Sequence, residues 1–325
     1  MSNDPTPCSD VNSSVPRRLD QFVGQSSVVE QVRVALAACR NGGGSYPSSL
    51  FTGAPGLGKS QLVAILAAEL GVPLRETLAQ TIATTGDLRA LLLDARDCEI
   101  VFLDEADELP PSMQTLLYKA MAERKLFVPR GHSGRQDVAL PLDDFTLIMA
   151  SNHESRLQRP LVERFKIINR FEFYGETEIE RLLRDRAGGL NWQCHDGVFR
   201  VVAARSRGVP RTGLRLLETV HRVALCENSG DLTVAHVERA CAIEGIDGRG
   251  LDRSERQYLR ILDGDGGPVR PGVLADRLGV PLRTLQSVIE PFLIRVNLIN
   301  RSDHGRTLTD DGVRYVREMT FSEGR

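Results

Sequence analysis

Between residues 25 and 40 the apolar positions Val28, Val32, Leu36 and Cys39 recur at spacings of three and four, the period of a helix with one buried face. The Gly42-Gly43-Gly44 run ends it. Ser48 to Thr52 reads as a short strand and Lys59 to Leu70 as a helix closed by Gly71. Further on, Ile100, Val101, Phe102 and Leu103 form an uninterrupted apolar run within Asp97 to Asp104, which suits a strand buried on both faces of a parallel sheet. Phe145 to Ala150 repeats that pattern, and Ile167 to Phe173 gives another strand. Thr84, Thr85 and Asp87 read as the N-cap of a helix over Leu88 to Leu93, and Val128 to Arg130 with Asp137 to Leu140 as a hairpin whose tip is Gly131 to Gly134. Strands alternating with helices imply an α/β fold with right-handed crossovers over roughly the first half.

From Glu176 to about Ile246 the pattern is helical, and Gly245 to Gly250 reads as a linker. Beyond it come helices over Arg253 to Leu262, Pro271 to Leu278 and Leu282 to Ile294, then a hairpin around Asp303-His304-Gly305. The expected organisation is a disordered leader (1–16), a large domain (17–175), a helical domain (176–247) and a last domain (248–325), with no internal repeat.

Composition changes this picture little. With 41% hydrophobic and 26% charged residues the 325-residue chain is an ordinary globular one, expected to fold without staples. Six scattered cysteines, with no Cys-x-x-Cys and no histidine at ligand spacing, suggest neither a disulfide framework nor a zinc site. The polar N-terminus has no basic start leading into an apolar run, and no stretch is long and apolar enough to span a bilayer, so the expected location is cytoplasmic. A net charge of -2 argues against non-specific wrapping of nucleic acid but permits a local basic patch.

The chemistry enters with Gly53-Ala54-Pro55-Gly56-Leu57-Gly58-Lys59-Ser60, which fits G-x-x-x-x-G-K-[ST] between a predicted strand and a predicted helix. Glycines let backbone N–H groups converge on phosphate oxygens, and the opening helix adds its positive end. Lys59 would reach the terminal phosphates, and Ser60 would offer a neutral oxygen to magnesium. Asp104 and Glu105, at the end of the buried strand, would face the same phosphates. Asp104 could hold magnesium through water, and Glu105 could orient or deprotonate the attacking water. The plain alternatives are a glycine-rich turn with a solvated lysine, and acids that cap the next helix.

These residues resemble the AAA+ ATPases and, within them, the RuvB family. The likeness covers nearly the whole chain. It rests on Arg18-Leu19-Asp20-Gln21-Phe22-Val23-Gly24-Gln25, the Gly53 to Ser60 loop, Phe145-Thr146-Leu147-Ile148, Pro160-Leu161-Val162-Glu163-Arg164-Phe165, Phe171-Glu172-Phe173-Tyr174 and Gly208-Val209-Pro210-Arg211. The resemblance implies a P-loop parallel sheet with a helical lid and a C-terminal winged helix. It also implies ATP and Mg2+ as cofactors, ring assembly with a hexamer expected, and branch migration of Holliday junctions with a RuvA-type partner.

The same resemblance implies particular roles. Asn152, with Ser151 beside it, matches the polar sensor of the γ-phosphate, though an Asn after a strand is also a plain turn former. Arg164 matches an arginine finger reaching the neighbouring subunit's nucleotide, unless it is a surface arginine paired with Glu163 or another acid. Arg211 matches a second sensor. Arg18, Leu19, Val23, Gln61 and Tyr174 fall in the nucleotide-binding frame beside Gly53, Gly56, Leu57, Gly58, Lys59 and Ser60. Val138 and Leu140 match the hairpin positions that dock the partner, with a solvent-exposed insertion as the alternative.

Arg301 and Arg306 match wing positions that contact DNA phosphates, and Arg283 stands next to the family's arginine position, which Leu282 takes; solvated wing arginines are the alternative. Two departures mark the chain: Asp-Glu-Ala-Asp replaces the usual Asp-Glu-Ile-His, and Val15 stands where an arginine is expected. Both suggest a diverged relative or paralogue. An AAA+ ATPase that remodels proteins, or a nucleotide-gated scaffold that barely turns over, are the competing functions.

Overall fold

The computed structural model describes residues 15–129 and 137–323. The leader up to residue 14 and the tip of the expected hairpin, Gly131 to Gly134, lie outside the described residues.

A single helical turn at Leu19–Gln21 precedes α1 (Ser26–Gly42), which ends where Gly43 takes a left-handed conformation. Strand β1 (Ser49–Thr52), buried at every position, then feeds the glycine loop into α2 (Lys59–Leu70). There follow β2 (Leu74–Leu78), α3 (Thr85–Asp94), β3 (Ile100–Asp104) and α4 (Pro111–Glu123). The expected cap of α3 is present: Thr84 accepts from the Asp87 N–H while the Asp87 carboxylate accepts from the Thr84 N–H, at 3.1 and 2.8 Å. Next come β4 (Lys125–Pro129), β5 (Asp137–Pro141), β6 (Thr146–Ser151), α5 (Arg159–Val162), β7 (Ile167–Arg170) and α6 (Glu176–Gly189).

Five of these strands form one parallel sheet in the order β2-β3-β6-β1-β7. Leu50, Phe51, Val101, Phe102, Leu147 and Ile148 have essentially no exposed surface, as a sheet covered on both faces requires. β2 has no apolar run. It is an edge strand of sequence Leu-Arg-Glu-Thr-Leu, half-exposed along its length, and so escaped the sequence reading. The hairpin β4–β5 stands apart from the sheet, with Leu126 opposite Leu140 and Val128 opposite Val138.

The described residues fall into two compact units. The first holds the chain up to Asn191 together with Gly208–Thr212; the second holds Trp192–Arg207 and everything from Gly213 onward. Helix α6, which the sequence reading gives to the helical domain, lies in the first unit. Continuing in chain order are β8 (Gln193–Cys194), α7 (Val198–Arg205), α8 (Pro210–Cys226), β9 (Asp231–Leu232), α9 (Val234–Glu244), α10 (Arg253–Asp265), α11 (Pro271–Leu278), α12 (Leu282–Thr284), α13 (Glu290–Arg295), β10 (Ile299–Ser302), β11 (Gly305–Leu308) and α14 (Asp310–Glu323).

The expected helix over Leu282 to Ile294 is thus divided, with a π-helical stretch at Leu285–Ile289 between α12 and α13. Pro291 has no N–H to give to the carbonyl one turn back, and a widened turn accommodates that loss. Tyr258, Leu259, Leu274, Leu285 and Leu293 are the centre of a core closed by Tyr315, Val316 and Met319 of α14. The sequence reading missed α14, although Tyr315, Val316 and Met319 recur at helical spacing. Behind the expected hairpin, Val269 and Arg306 exchange two backbone hydrogen bonds, at 2.9 and 2.8 Å, so β11 is paired on both sides.

Among the described residues the five cysteines are free, no group of three or more His, Cys, Asp or Glu is placed to hold a metal, and no helix is long and apolar enough to cross a membrane.

Candidate active site

Parallel strands present their C-terminal ends along one edge of a sheet, and ligands bind there. Here β1, β6 and β3 lie near one another at that edge and deliver Gly53, Asn152 and Asp104 side by side. The loop after β1 turns on glycines that nothing else replaces. Gly53 sits at φ +144° and a Cβ there would lie 2.6 Å from the Phe171 carbonyl oxygen, while Gly56 sits at φ +81° with a Cβ 2.9 Å from Val209 and Arg211.

The polar groups of the loop satisfy one another. Lys59, buried, donates through Nζ to the carbonyls of Gly53 (2.7 Å) and Ala54 (2.9 Å) and to Oδ1 of Asn152 (2.9 Å). The Ser60 hydroxyl donates to Oδ2 of Asp104 at 2.8 Å. Burial pulls the Lys59 ammonium down to about 8 from an ordinary 10.5, against the opposing pull of Asp104, Asp107 and Glu105. Glu105 follows at φ +55°, a left-handed conformation that non-glycine residues rarely adopt, and it swings the chain into a helical turn at Ala106–Glu108. Asp104 and Glu105 are both partly exposed at the strand end.

Around this centre the expected nucleotide-frame residues divide. Leu19 is buried with its N–H on Glu69, Gln61 donates to the Pro16 carbonyl at 2.9 Å, and the Tyr174 hydroxyl donates to the Leu57 carbonyl at 3.3 Å. Val23 is half-buried in the same leader. Burial holds the Tyr174 hydroxyl well above the ordinary tyrosine range. Phe22, which the sequence reading passed over, reaches Gly58. The Arg211 N–H lies 3.4 Å from the Gly56 carbonyl, which keeps that residue beside the loop. By contrast, Arg18 is exposed and pairs with Asp20 at 3.1 Å.

Arg164 is exposed and has no ion-pair partner among the described residues. The expected alternative, a pair with Glu163 or another acid, is absent among the described residues, and Glu163 accepts from Arg159 at 2.8 Å.

The remaining expected residues lie elsewhere. Val138 is exposed and Leu140 half-buried, on one face of the hairpin as the alternation of a strand demands. Arg283 and Arg301 are exposed in the second unit. Arg306 departs from the expectation. It is 4% exposed, and its guanidinium grips Glu290, itself 1% exposed, in a bidentate pair at 2.9 and 3.0 Å. Tyr258 donates to the same carboxylate at 3.1 Å. Two of its five N–H donors are spent on Glu290 in the core beneath the wing, and little of the side chain is exposed to meet a phosphate.

Three family models match in succession and together span most of the chain: the Holliday junction DNA helicase RuvB P-loop domain over residues 15–171, the RuvB AAA lid domain over 174–247 and the RuvB C-terminal winged helix domain over 248–317. The Holliday junction branch migration complex subunit RuvB of Synechococcus sp. (strain CC9311) is 37% identical over 302 residues, 91% of this chain and 84% of that protein. The subunit of the same name from Prochlorococcus marinus (strain MIT 9313) is 36% identical over 306 residues, 93% and 87% of the two chains. Among solved structures, the Thermotoga maritima RuvB Holliday junction branch migration motor superposes with a TM-score of 0.81 at 29% identity, covering 94% of this chain and 98% of that one. A single-residue mutant of the same protein superposes with a TM-score of 0.83. With its phosphate loop, acidic strand end and winged helix all accounted for by these matches, the chain belongs to the RuvB family of AAA+ P-loop ATPases.

Proposed function

We propose that this chain is the ATP-driven motor of a Holliday junction branch-migration complex, acting in recombination and repair as a ring around duplex arms. The observation that carries the reading is the run of RuvB domains from the phosphate loop through the winged helix in one chain. The domain division that goes with it is an ATPase domain over 17–175, a lid over 176–247 and a winged helix over 248–325, behind a short leader.

Lys59 leaves its own loop carbonyls for the terminal phosphates. Ser60 and Asp104, in contact at 2.8 Å, are hard oxygen donors that would hold magnesium, which when bound would neutralise charge on the phosphate oxygens. Glu105 orients and deprotonates the attacking water, and Asn152 positions it at the γ-phosphate. Arg164 acts on the nucleotide of the adjoining subunit, Arg211 contacts it from the lid, and Leu19, Val23 and Tyr174 enclose the base. Arg283 and Arg301 approach DNA phosphates, and Val138 and Leu140 dock a RuvA-type partner. A fluorescent four-way junction with such a partner added tests the coupling: migration is expected to require ATP and to vanish in Lys59→Ala. Migration that survives in that variant overturns the proposal.

The depressed Lys59 ammonium gives a second expectation. Near pH 8 the free enzyme lacks part of the Lys59 proton, and the phosphate charges of bound ATP favour the charged form, so binding at pH 8 takes up a fraction of a proton. Calorimetry in buffers of different ionisation heat measures this. Lys59→Arg, whose guanidinium stays charged, is expected to take up none.

A further inference from the structure

Asp107 ends the acidic box Asp104-Glu105-Ala106-Asp107, and its carboxylate makes no hydrogen bond to the phosphate loop or to the strand-end pair among the described residues. Its side chain is nearly buried. The left-handed turn at Glu105 carries it back over the adjacent strand, because β3 and β6 are neighbours with Leu103 beside Met149. There a single oxygen, Oδ1, accepts both the Ser151 hydroxyl and the Asn152 backbone N–H, each at 3.0 Å. Ser151 is fully buried, and its hydroxyl oxygen in turn accepts from the His153 N–H at 3.1 Å. The second carboxylate oxygen lies 3.9 Å from Arg156, whose nearer partner is Glu108 at 2.9 Å.

The consequence falls on Asn152. Its backbone is held by Asp107 and its side-chain oxygen by Lys59, so the acidic turn, the sensor amide and the phosphate lysine form one connected set of bonds. A buried N–H without an acceptor is costly, and a single carboxylate oxygen, with two lone pairs, takes both donors at once.

We propose that Asp107 is a positioning residue for hydrolysis: it clamps the end of β6 so that the Asn152 amide stays aimed at the reacting phosphate while Glu105 stands on the opposite side of the same turn. The proposal rests on the reading of Asn152 and Glu105 given above. It acts through geometry, and misplacing a group near a reacting centre by an ångström costs up to ~10²-fold in rate.

Steady-state ATP hydrolysis and nucleotide binding in the full chain test it. Asp107→Asn keeps an acceptor oxygen for both donors and is expected to retain kcat within about threefold, whereas Asp107→Ala loses ~10- to 100-fold in kcat with KM and ATP affinity within about threefold. The deciding measurement is the double variant with Asn152→Ala. If Asp107 works through Asn152, adding Asp107→Ala to Asn152→Ala lowers kcat no further. Additive losses, or an Asp107→Ala loss confined to binding, overturn the inference about Asp107 alone. If Asn152→Ala by itself leaves kcat unchanged, the reading of Asn152 fails first, and the two failures are distinguished.

Discussion

Replacing Arg164 with alanine is expected to reduce ATP hydrolysis by ~10³-fold or more while leaving nucleotide affinity almost unchanged, because a guanidinium that neutralises the transferring phosphoryl group acts in the transition state and not in the ground state. The structure supplies the premise. Arg164 is exposed, and Glu163, which stood to engage it, is taken by Arg159. Subunit mixing decides whether it acts between chains. Arg164→Ala retains an intact phosphate loop, and Lys59→Ala retains an intact finger, so mixing two inactive proteins should create interfaces at which both parts are present. Recovery of hydrolysis in the mixture, absent from either protein alone, is the expected result. No recovery at any ratio, with both variants still assembling, would place Arg164 outside the site.

A second large effect is expected where no chemistry occurs. Arg306→Ala leaves the Glu290 carboxylate buried without its partner, and breaking a buried pair in this way costs about 3–5 kcal/mol. Thermal or urea unfolding of the Arg306→Ala chain should therefore show the second unit melting early, with loss of DNA binding following from the loss of structure. Arg301→Ala is the contrasting case: stability unchanged, DNA affinity reduced, and the salt dependence of binding shallower by about one ion. If Arg306→Ala keeps its stability and weakens DNA binding as Arg301→Ala does, the buried assignment is wrong. Replacing Arg306 and Glu290 together by apolar residues of similar volume should recover much of the loss, since the penalty lies in the stranded charge.

Several features were legible before any coordinates. The phosphate loop is encoded locally: glycines at 53, 56 and 58 are needed by the backbone itself, and the two elements beside them are signalled by an apolar run and a closing Gly71. Helix α2 and helix α11 run between the residues that their caps predict, and the Thr84–Asp87 cap forms as the spacing requires. β2 was illegible because an edge strand can carry polar side chains on its open side, which leaves no periodic signal.

The sequence by itself determined the phosphate loop and the acidic strand end, because each depends on residues close together in the chain, and motifs spread along nearly its whole length identified the P-loop fold and the family. Only the tertiary structure decided where three charged side chains lie and what they meet. Arg301 and Arg306 flank one tip and look alike in sequence, yet Glu290 and Tyr258, from two preceding helices, draw one of them inward. Asp107 looks like a spare acid until β3 and β6 prove to be neighbours and bring Ser151 and Asn152 under it. A charged group takes its role from the partner that meets it, and that partner is set by packing between segments distant in sequence.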